Sequence, residues 1–431
     1  MLPRKPRPTS GFELAALGTA RRPARRPAQP AAERAVHLES TWKRHSAYRL
    51  LLERPPQGYR FAAADGRQEA IIGAASRFRA VYSTLHTLDR LAPVHLLKSC
   101  WDMARPQPKG AGLTYAVNHL VLRREPWLLD LPCEHVSNTI GGYRHFRLFR
   151  GLVRSTLLSP HCRRIIVSIA VGKRALAAAL GEDVAAKVSV VHWAAEPKPF
   201  VKEYRPGGGV KMLFVDSANI PGQFRYKGGL EALETFAALR DLYPGLELVI
   251  RSGLPRRIRE RYAGMPGLRL IEGVVPWEEL EREFMTADIF LLPARFTPLT
   301  VFMDAMSYEL PVVTTDSWGN PEIVENGVTG LLAHDSRLAR HYREMLPRYF
   351  IPPPGSRLHR DMFGEVDRDL VATLVEALKP LIDAPQLRRQ MGLAGRQAVE
   401  TGRFSIERRN HLLRQVLDAA IDGDGAQCEL K

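Results

Sequence analysis

The 431-residue sequence has only four cysteines, Cys100, Cys133, Cys162 and Cys428, and no two of them form a CxxC pair. This spacing argues against zinc ligand pairs and against a disulfide framework, and it fits thiols that stay reduced in a cytoplasm. No run approaches the roughly 18 apolar residues that a membrane-spanning helix requires. The N-terminus is basic, but no apolar segment follows it, so we expect no secretory signal and a cytoplasmic location.

Acidic residues are outnumbered, because 62 lysines and arginines face 46 aspartates and glutamates, and the formal net charge is +16. A basic surface attracts nucleic acids, anionic lipids or phosphorylated substrates, although it also fits a face that is merely solvated. The sequence has no nucleic-acid-binding motif and no row of aromatic residues among its basic ones, so we expect no nucleic-acid partner. A peripheral contact with the inner face of a membrane stays open.

Composition and periodicity divide the sequence into four parts. Residues 1–40 are rich in proline, arginine and alanine, which predicts disorder. Residues 41–206 and 207–400 each alternate between strand-like and helix-like segments, which predicts two parallel sheets covered by helices. Three glycines at 207–209 indicate a linker, and residues 336–365, with three consecutive prolines, predict an insertion or mobile loop. Residues 401–431 contain a final helix.

A glycine turn with positive charge follows the first strand of the second half, where residues 224–229 read FRYKGG. Gly228 lets backbone N–H groups approach an anion, and Arg225 and Lys227 add fixed charge, so the turn predicts a diphosphate site. The alternative is a helix-ending glycine turn that carries two surface cations. Arg251, at the end of the next strand, is expected to face the same ligand side.

A second arm of this site is predicted at residues 293–306, where an apolar strand passes through a loop into a helix. The first N–H groups of that helix, on Leu299, Thr300 and Val301, have no partner within the helix and carry its positive dipole end. Asp304 lies inside the helix, where its carboxylate can accept hydrogen bonds from the two vicinal hydroxyls of a ribose. The alternatives for Asp304 are a solvated helix residue or the partner of an arginine.

A third turn, with Gly319 and Asn320 at its centre, again precedes a short helix. Its backbone donors and the carboxylate of Glu322 complete the predicted donor site. The alternative for Glu322 is only a favourable charge near a helix N-terminus.

The candidate catalytic residue of the first half is His135, which follows a strand and stands beside Glu134. A neighbouring carboxylate can polarise an imidazole, so His135 is placed near the sugar or the acceptor hydroxyl. A structural histidine at the end of a strand is the alternative, and His119 is a rival candidate.

In order and spacing these segments resemble glycosyltransferase family 4, the group 1 glycosyltransferases. The family's KG turn corresponds to Lys227 and Gly228, its EAM…GPV segment to residues 304–312, and its PEIV-x-x-G-x-x-G-L-L segment to residues 321–332. Residues 126–136 and 162–192 resemble the same family more loosely. The resemblance implies an α/β protein of the GT-B fold, with two Rossmann-like doubly wound domains facing a cleft and a final helix that returns to the N-terminal domain.

The same resemblance implies a retaining glycosyltransferase that moves a hexosyl unit from a nucleoside diphosphate sugar to a glycan or lipid-linked acceptor. Positive charge and N–H groups would stabilise the departing diphosphate, so neither a metal nor a cofactor is expected. The acceptor is expected on the first domain, where arginines of a predicted basic amphipathic helix form a face that suits an anionic or lipid-linked molecule. They are Arg144, Arg147, Arg150 and Arg154.

One departure from the family pattern concerns the donor sugar. The first acid of the family's E-x7-E signature, which contacts the donor hexose, falls at Phe296 here, and the second acid is Asp304 rather than glutamate. Thr297 or Thr300 is left as a neutral hydrogen-bond partner. Two alternatives therefore stay open: a relative that binds nucleotide sugar without transferring it, and a nucleotide-sugar epimerase.

Overall fold

The computed structural model describes residues 33–39, 46–63, 97, 100, 101, 103, 112–132, 136–203, 209–216, 222–348, 352 and 355–422. These residues form two six-stranded sheets in which all pairs of neighbouring strands are parallel, with orders β2-β1-β3-β4-β5-β6 and β12-β11-β10-β7-β8-β9. The first six strands are β1 (Arg34–Glu39), β2 (Tyr59–Ala63), β3 (Leu113–Val117), β4 (Trp127–Leu131), β5 (Cys162–Val167) and β6 (Val188–Val190). The second six are β7 (Lys211–Val215), β8 (Glu247–Ser252), β9 (Leu268–Glu272), β10 (Ile289–Leu291), β11 (Val312–Thr315) and β12 (Gly330–Ala333).

Helices cover the sheets. In the first half they are α1 (Ser46–Glu53), α2 (Tyr143–Leu158), α3 (Ala170–Leu180) and α4 (Glu182–Ala185). Between β7 and β12 they are α5 (Gln223–Tyr226), α6 (Gly229–Arg240), α7 (Arg256–Tyr262), α8 (Trp277–Thr286), α9 (Leu299–Ser307) and α10 (Asn320–Ile323). After β12 follow α11 (Ser336–Met345), α12 (Arg357–Phe363), α13 (Arg368–Asp383), α14 (Pro385–Glu400) and α15 (Ile406–Asp422).

The strands are short apolar runs because helices lie on both faces of each sheet. Every residue of β3, β4, β10 and β11 is buried, including the polar Thr114 and Asp130. Parallel sheets buried in this way lack the apolar–polar alternation of a half-exposed sheet. Composition and order therefore predicted them better than periodicity did.

Two expectations from the sequence were wrong. Residues 34–39, assigned to a disordered N-terminus, form β1, which pairs with β2 and β3 and buries Val36 and Leu38. Residues 336–365, expected as an insertion or loop, contain α11 and α12, whose first turns are capped by the side chains of Asp335 and Ser356. A six-residue buried strand and a pair of short helices are too brief to establish a period.

The chain crosses between the two halves twice. The first crossing follows β6, and the second joins α14, which packs on α9, to α15, which packs on the first sheet. Leu413 and Leu417 of α15 are buried beside Tyr48 and Tyr115. The two crossings touch, since the Ala195 N–H donates to the Phe404 carbonyl at 3.3 Å.

Candidate functional site

The glycine turn of the second half lies against the loop that precedes α9. Gly228 is the N-cap residue before α6 and has a φ of 73°, and a Cβ atom there would lie 2.2 Å from the Pro293 carbonyl oxygen. Only glycine fits both the conformation and the approach. Lys227 Nζ donates to the Phe296 carbonyl at 2.9 Å, so the predicted phosphate cation and the predicted loop meet at the carboxyl ends of β7 and β10.

The start of α9 forms the second side of this region. Phe302 donates the first hydrogen bond of the helix, to the Pro298 carbonyl, so the amides of Leu299, Thr300 and Val301 precede the ladder. A helix start of this kind favours an anion.

Asp304 lies one turn further along α9, on the same face as Thr300. Burial raises the pKa of Asp304 to about 6, although the charge of Lys198 acts in the opposite direction. Lys198 belongs to the crossing that follows β6, so this carboxylate lies near the junction of the two halves. Its contact with a ribose stays a prediction.

Two of the predicted cations already have partners in the protein. Arg225 Nη1 donates to the carbonyls of Phe363 at 2.5 Å and Gly364 at 2.7 Å, at the end of α12. Arg251 Nη1 donates to the Asp216 carbonyl at 2.5 Å, and burial lowers the pKa of its guanidinium. A phosphate would have to share Arg225 with the α12 carbonyls.

The third predicted turn directs its polar groups inward. The Gly319 N–H donates to Thr297 Oγ1 at 3.1 Å. Asn320 is fully buried, and its Nδ2 donates to the Ala294 carbonyl at 2.8 Å and to Thr315 Oγ1 at 3.1 Å. The Gly319 amide and the Asn320 side chain thus hold the loop before α9 in place.

Glu322 differs from its expected place in the donor site, because its carboxylate caps α3 of the opposite half. Its oxygens accept from the N–H groups of Ala170 at 2.5 Å and Val171 at 3.0 Å, and Arg174 lies 3.9 Å away. The N-cap residue of α3 is Ile169, whose side chain cannot cap the helix, so the first amides of α3 need another acceptor. The Glu322 carboxylate, from the opposite half, accepts from both amides and places a negative charge at the positive end of the helix dipole.

Among the histidines, His135 and its neighbour Glu134 lie outside the described residues. The rival His119 is held in place by Glu39. His119 Nε2 lies 2.9 Å from one oxygen of the Glu39 carboxylate, and the other oxygen of that carboxylate accepts from Arg123 at 2.8 Å. This network gives His119 a structural role at the end of β3.

Two residues near the site were missed in the sequence. Asp216, directly after β7, is buried and accepts from Ser252 Oγ at 2.8 Å. Burial raises the pKa of Asp216 to about 6, and the Ser252 hydrogen bond, followed by the charges of Arg251 and Lys227, partly offsets this rise. Arg295 is 1% exposed and contacts Asp335 and Asp367 at 3.0 Å each and Glu231 at 3.3 Å. The sequence does carry signals for both residues. Asp216 directly follows a strand, and the two aspartates that pair with Arg295 stand at helix starts.

Phe296, which replaces the family's acid, is part of an aromatic cluster. Its ring lies nearly parallel to those of Trp318 and Phe363, with centroids 6.1 and 6.3 Å away. The neighbouring Arg295 fixes the backbone of this loop through its ion pairs and through an N–H bond to the Tyr226 carbonyl at 3.3 Å. The position expected to meet the donor sugar is therefore apolar and rigidly held.

A further buried carboxylate lies in the first half, on the face of β4 that α15 covers. Asp130 Oδ2 accepts from Tyr48 at 2.9 Å and Tyr115 at 2.8 Å, and burial raises the pKa of Asp130 to about 6. A small cavity beside it is also lined by His192 and Arg409.

No group of three or more metal-ligating side chains occurs among the residues that the structure describes. Within the same ranges, none of the helices combines the length and the apolar character that crossing a membrane would demand.

Comparison with known proteins gives matches in both sequence and structure. Residues 215–347 match the family model "Glycosyl transferases group 1". The chain is 24% identical over 173 residues to the alpha-maltose-1-phosphate synthase of Mycolicibacterium smegmatis, covering 37% of this chain and 38% of that protein. It is 41% identical over 69 residues to the amylovoran biosynthesis glycosyltransferase AmsK of Erwinia amylovora, covering 14% and 17%. A solved glycosyltransferase structure from Rickettsia africae matches with a TM-score of 0.57 at 11% identity, covering 91% of this chain and 99% of that one.

The matched segments span 17–38% of the length of the curated relatives, whereas the structural match spans nearly the whole chain. Both halves are parallel α/β layers, and the match to that structure includes both of them. The chain therefore has the GT-B fold, and its residues 215–347 carry the group 1 glycosyl transferase segment.

Proposed function

We propose that this chain is a family 4 glycosyltransferase that moves a hexosyl unit from a nucleoside diphosphate sugar to a glycan or lipid-linked acceptor, with retention of configuration. The observation that carries the proposal is the meeting of Lys227 and Gly228 with the loop before α9. The family match over residues 215–347 supports the reaction class. A relative named for amylovoran biosynthesis supports a glycan product.

The proposed chemistry depends on stabilising a departing diphosphate. Lys227 supplies a positive charge, and the amides of Leu299, Thr300 and Val301 supply donors at the positive end of α9. Donors fixed before the reaction act without reorganisation, so this arrangement requires no metal. Asp304, one turn along α9, is proposed to accept from the ribose, and His135 is proposed to lie near the acceptor.

A second candidate, a protein that binds nucleotide sugar without transferring it, is favoured by the aromatic cluster around Phe296. An apolar ring stands where the family uses a carboxylate to hold the donor hexose. The two candidates share the diphosphate site and differ in turnover. An epimerase, in turn, would convert its nucleotide sugar with no acceptor present.

Donor binding is the first test. Isothermal titration with UDP-, GDP- and ADP-sugars should identify one donor, and Lys227→Ala should weaken it about ten- to a hundredfold, because a charge-assisted hydrogen bond contributes about 1.5–3 kcal/mol. The matched control is Lys379→Ala, which removes a lysine that pairs with Glu376 on the surface of α13. Equal affinity of the Lys227 variant and the parent protein would refute the diphosphate assignment.

Turnover separates the candidates. Transfer to an acceptor panel, with NMR of the product showing the anomer of the donor and with full activity in EDTA, is the expected result. An inverted product or loss of activity with chelator contradicts the proposed mechanism. Tight donor binding with no transfer or hydrolysis would favour the non-catalytic candidate.

A further inference from the structure

Helix α2 has an apolar face that the protein core does not use. Phe146, Val153 and Leu157 point inward and are buried. On the outside, Leu148 is 78% exposed and Leu152 42%. These two leucines form an exposed apolar row that bends at Phe149, where a kink (φ −107°, ψ 19°) interrupts the helix between them. Phe149, 38% exposed, lies beside them.

Positive charge borders this apolar row. α2 has four arginines and no acidic residue. Arg144 and Arg147 are exposed, and Arg144 continues the row of Leu148 one turn earlier. The other two arginines are also exposed but already have partners in the protein, since Arg150 Nε donates to the Ala179 carbonyl at 2.8 Å and Arg154 Nε to the Leu180 carbonyl at 3.0 Å. Arg154 is also paired with Asp183 of α4.

Other large apolar side chains are exposed over the same side of the first sheet. Trp101 is 70% exposed and Leu122 is 50% exposed. Met103, two residues from Trp101, is buried in the same core as Phe146 of α2, which places both segments on one layer. Tryptophan and leucine beside arginine form the side-chain set of helices that lie in a membrane interface.

We propose that this face, defined by Arg144, Arg147, Leu148, Phe149 and Leu152, docks on the surface of an anionic lipid bilayer. The helix would lie parallel to the membrane, with the leucines among the upper acyl chains and the arginines at lipid phosphates. Charge complementarity selects this occupant, because the exposed face pairs apolar surface with cations and carries no acid. Docking would bring the first half close to a lipid-linked acceptor, and this consequence rests on the proposed function. The docking itself does not depend on the proposed function.

Vesicle sedimentation of the full chain tests the docking. We expect binding to vesicles of phosphatidylcholine with 30% phosphatidylglycerol and little binding to pure phosphatidylcholine. Because each arginine near such a surface contributes about fivefold in affinity, Arg144→Gln with Arg147→Gln should weaken binding roughly thirtyfold. Leu148→Ser with Leu152→Ser should weaken it at least tenfold.

Matched controls lie on the second half. Arg256→Gln changes an arginine whose side chain is 81% exposed, and Leu242→Ser changes a leucine that is 63% exposed. Both controls should bind vesicles like the parent protein. Equal binding by the α2 variants, or no binding by the parent protein to anionic vesicles, would overturn the proposal.

Insertion is tested separately with Leu148→Trp in vesicles that contain brominated lipid. Quenching of the added fluorescence, absent in Leu242→Trp, is the expected result, and no additional quenching would contradict docking through α2. These readouts need no sugar donor. Vesicle binding together with failed donor binding would therefore reject the proposed function and leave the docking intact.

Discussion

Replacing Asp130 with asparagine removes a charge that the first half buries at a cost. Asp130 is 2% exposed, and its carboxylate accepts hydrogen bonds from Tyr48 and Tyr115. Those bonds favour the charged form, yet desolvation is the larger effect and raises the pKa from 3.8 to about 6. The folded protein thus holds this proton more tightly than the unfolded chain does.

The sign and size of the effect follow from linkage. A group whose pKa is raised by folding contributes stability that is fully present below its unfolded pKa, near 4, and is lost as the pH rises through 6. A shift of about two pKa units corresponds to about 3 kcal/mol. Asparagine carries no charge at any pH, so Asp130→Asn escapes this loss. The difference in unfolding free energy should therefore move in favour of the variant by about 2 kcal/mol between pH 4 and pH 7, because part of the full change falls below pH 4.

Urea unfolding of both proteins at half-unit pH steps measures this difference. Groups that titrate equally in parent and variant cancel, and pH-independent changes in the two tyrosine hydrogen bonds shift the whole curve without changing its slope. Asp241→Asn is the control, since the Asp241 side chain is 77% exposed and its curve should run parallel to that of the parent. A difference that stays constant within about 1 kcal/mol from pH 4 to pH 7 would refute the assigned burial penalty.

Two further substitutions test the geometry of the second half. Gly228→Ala places a methyl group against the Pro293 carbonyl, so it should lower the thermal midpoint and weaken donor binding at least tenfold. The control is Gly264→Ala, where φ is a similar 75° but no atom lies within 4 Å of the new methyl group. This control should show the effect of backbone strain alone. Equal effects of both would contradict the close approach. Glu322→Ala removes the carboxylate that caps α3 and should destabilise the start of that helix by about 1–2 kcal/mol. The measurement is hydrogen exchange at the Ala170 amide, which should become faster. Unchanged exchange at this amide would be inconsistent with a cap between the two halves.

The sequence was sufficient for the architecture and for part of the site. Two parallel sheets were predicted from the alternation of short apolar runs and helical segments, and the structure confirms them. The Lys227 turn and the start of α9 were predicted to lie together because both follow strands of one parallel sheet, whose carboxyl ends share an edge. That inference needs only the order of strands, loops and helices along the sequence.

The partners of individual side chains were beyond the sequence. Glu322 accepts from an amide 152 residues away on the opposite half, and no spacing rule joins those positions. Arg295 was not singled out in the sequence, yet it forms ion pairs with carboxylates of α6, the start of α11 and the start of α13. Such contacts depend on how the layers pack, and pattern alone does not specify that packing.

The two crossings between the halves, joined by the bond from Ala195 to Phe404, constrain the cleft. Halves tethered by one flexible segment would sample many relative orientations and would lose that freedom on closing around a ligand. Two adjacent crossings leave the halves fewer relative orientations than a single crossing would. For a ligand that contacts both halves, part of the orientational entropy is therefore already lost when the chain folds, and binding retains more of its interaction energy as affinity.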